Sequence, residues 1–234
     1  MSIKIIVQSI ALAGITCTTF NALADQAGDI HVHGKITLAG CSASVTSGQD
    51  LDYGSVPWSS LSNSTVTTLD AKDATLAISC TDAKQAAAFY ITDTREGTAA
   101  NGVNAPLQNG GTNIIGHSDK TYTFGLGNDS GNNPIGNYTI TPTAVTVDGK
   151  SYNNYGFLKD TSHISTNFNV VNPLNKWSYR KTEDWTATDG KKVITGNDYV
   201  WTLAVQPQIS PQKNLAMSGE IPFDGVAKIN VRYW

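Results

Sequence analysis

Charge is scarce in this sequence. Of its 234 residues only 15% are charged, against roughly a quarter in typical soluble domains, and 16 basic and 19 acidic side chains leave a net charge of −3. No stretch is strongly basic and the pI is about 5.7, so the electrostatic footprint of a nucleic-acid-binding surface is missing. Glutamate is rarer still: Glu96, Glu183 and Glu220 are the whole set, which leaves a paired-carboxylate mechanism few candidates. Neither a G-x-S-x-G nucleophile turn nor a phosphate-cradling G-x-x-x-x-G-K run occurs. His117-Ser118-Asp119 gathers the residue types of a triad, but as chain neighbours, which is not how a triad is assembled. The expectation is a protein that is not an enzyme and carries no cofactor.

Long apolar runs are also missing. The one apolar stretch, Ile5 to Ile15, is broken by Gln8 and Ser9 and falls short of the roughly 20 residues a membrane span needs. With Lys4 before it and the small-residue exit Ala22-Leu23-Ala24 after it, the stretch reads as a secretory signal over residues 1–24. The mature chain then begins at Asp25 and reaches the periplasm or beyond. Cysteine is sparse as well, three in all, and Cys17 falls inside the signal. Cys41 and Cys80 remain in an oxidising compartment, and a structural disulfide between them is expected.

What is abundant is β-forming alternation. Ile30, Val32, Gly34, Ile36 and Leu38 alternate with polar residues, as do Leu76 and Ile78 up to Cys80. Phe89–Ile91, Tyr122–Phe124, Tyr138–Val147, Tyr199–Val205 and Val226–Tyr233 give further strand signals. Segments 97–120, 127–136 and 148–154, rich in Gly, Asn, Asp and Ser, read as turns. Asp82–Ala88 is the sole helix candidate. The pattern predicts an all-β chain forming a single β-sandwich domain over residues 33–234.

The ends of the mature chain carry a resemblance. In the last strand Ala227, Ile229, Val231 and Tyr233 share one face, opposite Lys228, Asn230 and Arg232, with an aromatic in the penultimate place. Gly28-x-Ile30-x-Val32-x-Gly34 precedes the run to Cys41, and Cys80 follows 39 residues later. These features resemble subunits of chaperone–usher fimbriae. Further landmarks are similar to a secreted Gram-negative family of uncharacterised function: Asp52-Tyr53-Gly54, Asp93-Thr94-Arg95, Phe124-Gly125-Leu126-Gly127, Ile135-Gly136-Asn137-Tyr138 and Asp224-Gly225.

The resemblance implies an immunoglobulin-like, pilin-type sandwich lacking its last strand. It also implies a periplasmic chaperone, an outer-membrane usher and neighbouring subunits as partners. Residues 25–32 would be the donor strand, with Gly28, Ile30 and Val32 as its key positions. Ala227, Ile229, Val231 and Tyr233 would border the groove that receives a neighbour's strand and that the chaperone covers first.

Other residue groups point elsewhere. His31-x-His33 places two imidazoles on one strand face without a third metal ligand. Segment 128–133 has the flavour of a calcium loop but lacks its bidentate Glu and reads as a turn. Tyr152, Tyr155, Trp177, Tyr179, Trp185, Tyr199 and Trp201 gather within fifty residues. Trp201 reads as core, while Trp177 and Trp185, flanked by charges, read as exposed faces for a host glycan. The alternative function is therefore a self-complete secreted or periplasmic carbohydrate-binding module.

Overall fold

The alternation that marks strands in the sequence becomes two antiparallel sheets in the computed structural model, which describes residues 40–81, 84–100, 120–158, 168–171, 178–181, 183–217 and 219–234. In chain order the strands are β1 (Cys41–Ser47), β2 (Thr67–Thr68), β3 (Lys72–Cys80), β4 (Gln85–Asp93), β5 (Phe124–Gly125), β6 (Gly136–Val147), β7 (Lys150–Tyr152), β8 (Asn154–Leu158), β9 (Phe168–Val171), β10 (Asp184–Thr188), β11 (Thr195–Gly196), β12 (Asp198–Ile209) and β13 (Ala227–Tyr233). Among the described residues, helix is limited to single 3₁₀ turns at Trp58–Ser60 and Gln212–Asn214. The signal segment and donor residues Gly28, Ile30 and Val32 lie outside the described residues, as do His31, His33, His117 and Trp177.

The first sheet runs β1-β3-β12-β6-β5, with β2 added to β12 and β7 to β6. In the second, β4 is flanked by β13 on one side and by β10 and β11 on the other, followed by β8 and β9. The inner faces meet in a β-sandwich core. Leu76 and Ile78 of β3, Ile140 and Val145 of β6, and Trp201 and Leu203 of β12 face Phe89 and Ile91 of β4 and Trp185 of β10. Each of these side chains is at most 3% exposed.

The helix expectation for Asp82–Ala88 is corrected. Gln85 to Ala88 open β4, and Ala86, Ala87 and Ala88 are all buried there. A strand buried on both faces shows no alternation, so an alanine run in it reads as helix until its neighbours are known. The turn expectation for 148–154 is corrected in part: Lys150–Tyr152 form β7 and Asn154 opens β8. Asp148 (φ 50°) and Gly149 (φ 76°) form the two-residue turn between β6 and β7, both in the left-handed region that such hairpins require. In segment 128–133 the Asp129 carboxylate accepts N–H bonds from Gly131, Asn133 and Ala216 at 2.5–2.9 Å. It thereby pins the turn to the loop that leads toward β13.

The disulfide expectation is met: Cys41 and Cys80 are bonded, and they are also direct register partners in the β1–β3 ladder. A second fastening point is Asp148. It pairs with Lys84 at 2.9 Å and accepts the Asn197 and Asp198 N–H groups at 2.8 and 3.0 Å. The Lys84 hydrogen bond and those backbone donors hold its carboxyl down to about 2. A depressed carboxylate stabilises the fold above its unfolded pKa, near 4, and that contribution is lost as pH falls toward 2. Urea denaturation should therefore show stability declining between pH 4.5 and 2.5, with a shallower decline in Asp148→Asn.

Candidate functional site

Among the described residues the two sheets do not close on each other along one side: β1 pairs only with β3 and β13 only with β4, so each is a sheet edge there. β1 and β13 approach across the sandwich, yet no ladder joins them among the described residues. Between them a groove of about 1180 Å³ leads into the core. Its floor is the inner face of the first sheet and the segment beside it: Leu126, Ile135, Tyr138, Ile140, Leu203 and Ile209, each at most 5% exposed. Val45 of β1 forms one wall, and Ala227 and Ile229 of β13 the other. Met217 (60% exposed) and Val226 (45%) stand at its mouth.

The groove has an open and a closed end. Its lining runs from Val45 and Ile229 outward over segments 48–56 and 219–226, and omits Cys41–Ser44 and Val231–Tyr233. At that far end the Tyr233 hydroxyl lies 3.6 Å from where a Cβ on Gly40 would sit, so the two edges nearly touch. The resemblance assigns Ala227, Ile229, Val231 and Tyr233 to the groove strand. All four lie on β13; Ala227 and Ile229 line the open groove, Val231 packs on the core, and Tyr233 stands at the closed end.

Sequence reasoning left the scattered landmarks without a role, and the structure brings them to the groove. Asp52 accepts the Gly54 N–H at 2.7 Å, a tight turn that aims Tyr53 at the Val205 carbonyl, 2.8 Å away on β12. Lys72 donates to the Asp52 carbonyl at 2.5 Å and lies 5.1 Å from the Tyr53 ring centroid. Burial pushes the Tyr53 phenol up to about 12, so it stays a hydrogen-bond donor at any physiological pH. These contacts fasten segment 48–56 as the groove's rim.

The opposite rim is built with equal care. Arg95 is ion-paired with Asp224, while Asp93 accepts the Gly125 N–H at 2.9 Å. Gly225 lies against the Tyr138 ring, where a Cβ would come within 2.4 Å of Cε1. Gly136 passes so close to β12 that a Cβ would sit 2.0 Å from the Gln208 carbonyl oxygen. Tyr138 itself stacks on Phe124 (centroids 5.2 Å apart), and its hydroxyl has no hydrogen-bond partner among the described residues. Burial first, then the charges of Asp93 and Asp224, raise its pKa. The signal that could have located this site was the clustering of glycine and aspartate landmarks at strand ends.

Along β13 the outward Arg232 lies 4.2 Å over the Tyr90 ring and is ion-paired with Asp184 of β10, tying the edge strand across β4. Burial raises the Asp184 pKa, with Arg232 working against it.

The expectation of an exposed Trp185 is corrected. Trp185 is 2% exposed and stacks on Tyr155 at 4.3 Å, beside Tyr179 at 5.2 Å. It sits on the inward register of β10, alternating with Asp184 and Thr186, so the charges flanking it in the chain do not bring it to the surface. Trp201, fully buried against Phe89, is core as expected. The described part of the aromatic cluster offers no tryptophan face for a sugar.

Residues 30–139 are similar to a family described as Protein of unknown function (DUF1120). The matched stretch runs through the disulfide, the Tyr53 rim and the floor residue Tyr138, and ends before β13. No curated protein and no solved structure matches the chain.

Proposed function

We propose that the chain is a non-catalytic structural or minor subunit of a chaperone–usher-type fimbria, exported through the periplasm to the cell surface and contributing to adhesion. One observation carries this reading: an apolar groove flanked by two strand edges that have no outer partner among the described residues, which is the form an immunoglobulin-like sandwich takes when its final strand comes from elsewhere. An open edge over a hydrophobic floor is an aggregation hazard unless a strand covers it. A chaperone would cover it first, and the donor strand of a neighbouring subunit would then replace the chaperone.

Gly40 extends the β1–β3 ladder, its carbonyl accepting the Thr81 N–H at 2.9 Å, at the end of β1 away from the open groove. The carbohydrate-binding alternative loses Trp185, which lies in the core, and retains only Trp177, outside the described residues.

Head-to-tail association has a two-sided test. A chain carrying Ile30→Asp and Val32→Asp can accept a strand but not donate one. A chain carrying Ile229→Lys can donate but not accept. Each alone should remain monomeric on size exclusion, while their mixture should give a one-to-one dimer and nothing larger, because a heterologous contact cannot propagate from such a pair. A mixture that stays monomeric would count against the proposal.

A further inference from the structure

The charge around the groove is one-sided. Among the described residues its charged lining consists of Asp50 and Asp52 on one rim and Glu220 and Asp224 on the other, with no Lys, Arg or His. All four belong to exposed residues. Asp224 is compensated by Arg95 from outside the groove, and Lys72 is held at the Asp52 carbonyl. The chain's own alternating segment complements this arrangement. Where Ile30, Val32, Gly34, Ile36 and Leu38 form one face, the other carries Asp29, His31, His33, Lys35 and Thr37.

We infer that the groove selects a strand that is apolar on one face and basic on the other, and that its occupant is the His31–Lys35 segment of a second copy of this chain. The inference rests on the proposed strand-accepting function and names the partner. Main-chain pairing and the apolar face supply affinity that any alternating strand could share; the acidic rim supplies the discrimination, through attraction to a basic strand and repulsion of an acidic one. The paired histidines thereby gain a role. An ordinary imidazole takes up its charge below about pH 6.5, so the complementarity deepens as the medium becomes mildly acidic. Among the described residues the charged groups nearest the inserted strand are the four rim carboxylates, with Lys72 and Arg95 behind them; Lys228 and Arg232 stand on the outward face of β13, Arg232 tied to Asp184. β1 contributes no charge.

Fluorescent peptides covering residues 27–39 can be titrated against the full chain at pH 6.0 by anisotropy. Three are needed: the native peptide, a charge-reversed one (His31→Glu, His33→Glu, Lys35→Glu), and one stripped of its apolar face (Ile30→Ser, Val32→Ser, Ile36→Ser). The native peptide is expected to bind roughly tenfold tighter than the reversed one and to weaken as salt rises from about 0.05 to about 0.5 M. A receptor carrying Asp50→Asn, Asp52→Asn and Glu220→Gln, which keeps the turn-forming acceptor at position 52, should reduce that preference to less than about threefold. Equal binding of the native and reversed peptides overturns the inference and leaves strand insertion standing. Equal binding of the native and stripped peptides, or no binding by any peptide, overturns strand insertion and the inference with it.

Discussion

Replacing Cys41 and Cys80 by serine should cost about 4 kcal/mol of stability. The bridge closes a separation of 39 residues, and the chain-entropy model assigns a loop of this size roughly that effect. The loss also has a local consequence. Among the described residues β1 is held laterally by β3 alone, and the bridge lies in register at the first pair of that ladder. Freed of it, β1 should fray and the Val45 wall of the groove should loosen. Urea unfolding of the double variant beside the unaltered chain measures the first effect. Hydrogen exchange at β1 amides measures the second, as faster exchange there than at β12. Unchanged exchange in β1 would mean that the wall does not depend on the bridge.

Trp185→Ala should cost about 3–5 kcal/mol, the usual range for emptying a large aromatic from a packed core. Trp185 stacks on Tyr155 and touches Tyr179, whose hydroxyl accepts the Ile91 N–H at 2.7 Å and donates to the Glu183 carbonyl at 2.8 Å. The void would thus open beside a hydrogen-bonded node that joins β4 to segment 179–183. Were Trp185 a surface platform for a sugar, the same substitution would leave stability within about 0.5 kcal/mol. Thermal or urea unfolding separates the two outcomes directly.

How legible this protein was depended on how each strand is buried. β3, β12 and β13 announce themselves because they alternate: Leu76 and Ile78 inward against Ala77 and Ser79, Trp201 and Leu203 inward against Val200 and Thr202. The first half of β4 did not, since Ala86 and Ala88 are as buried as Ala87, and small residues in a two-sided strand mimic a helix; only Phe89–Ile91 of that strand was legible. The flanks of Trp185 misled for a related reason: neighbours in a strand point to opposite faces, so Asp184 says nothing about the exposure of Trp185.

The site was only half visible. β13 was readable as a strand from its alternation, and its place beside a groove only from what the resemblance implies. The groove itself lies where, among the described residues, no ladder joins β1 and β13, a place created by the order in which residues near 45, 75, 140, 205 and 229 come together. Such an absence has no local sequence signal. Tyr53, Tyr138 and Gly225 were legible as recurring motifs, yet their work of fastening the rims and shaping the floor depends on contacts such as Tyr53 to Val205, separated by 152 residues.

The central claim is that the groove is completed by a strand from another molecule. Its most direct test compares the chain beginning at residue 25 with one beginning at residue 33, both made in an oxidising periplasm without a co-produced chaperone. Size exclusion and an unboiled denaturing gel read the result. The account predicts that the longer chain forms detergent-resistant ladders or is degraded, and that removing residues 25–32 abolishes the ladders. If both instead elute as sharp, protease-resistant monomers, the fold is complete in itself and the strand-exchange account is contradicted.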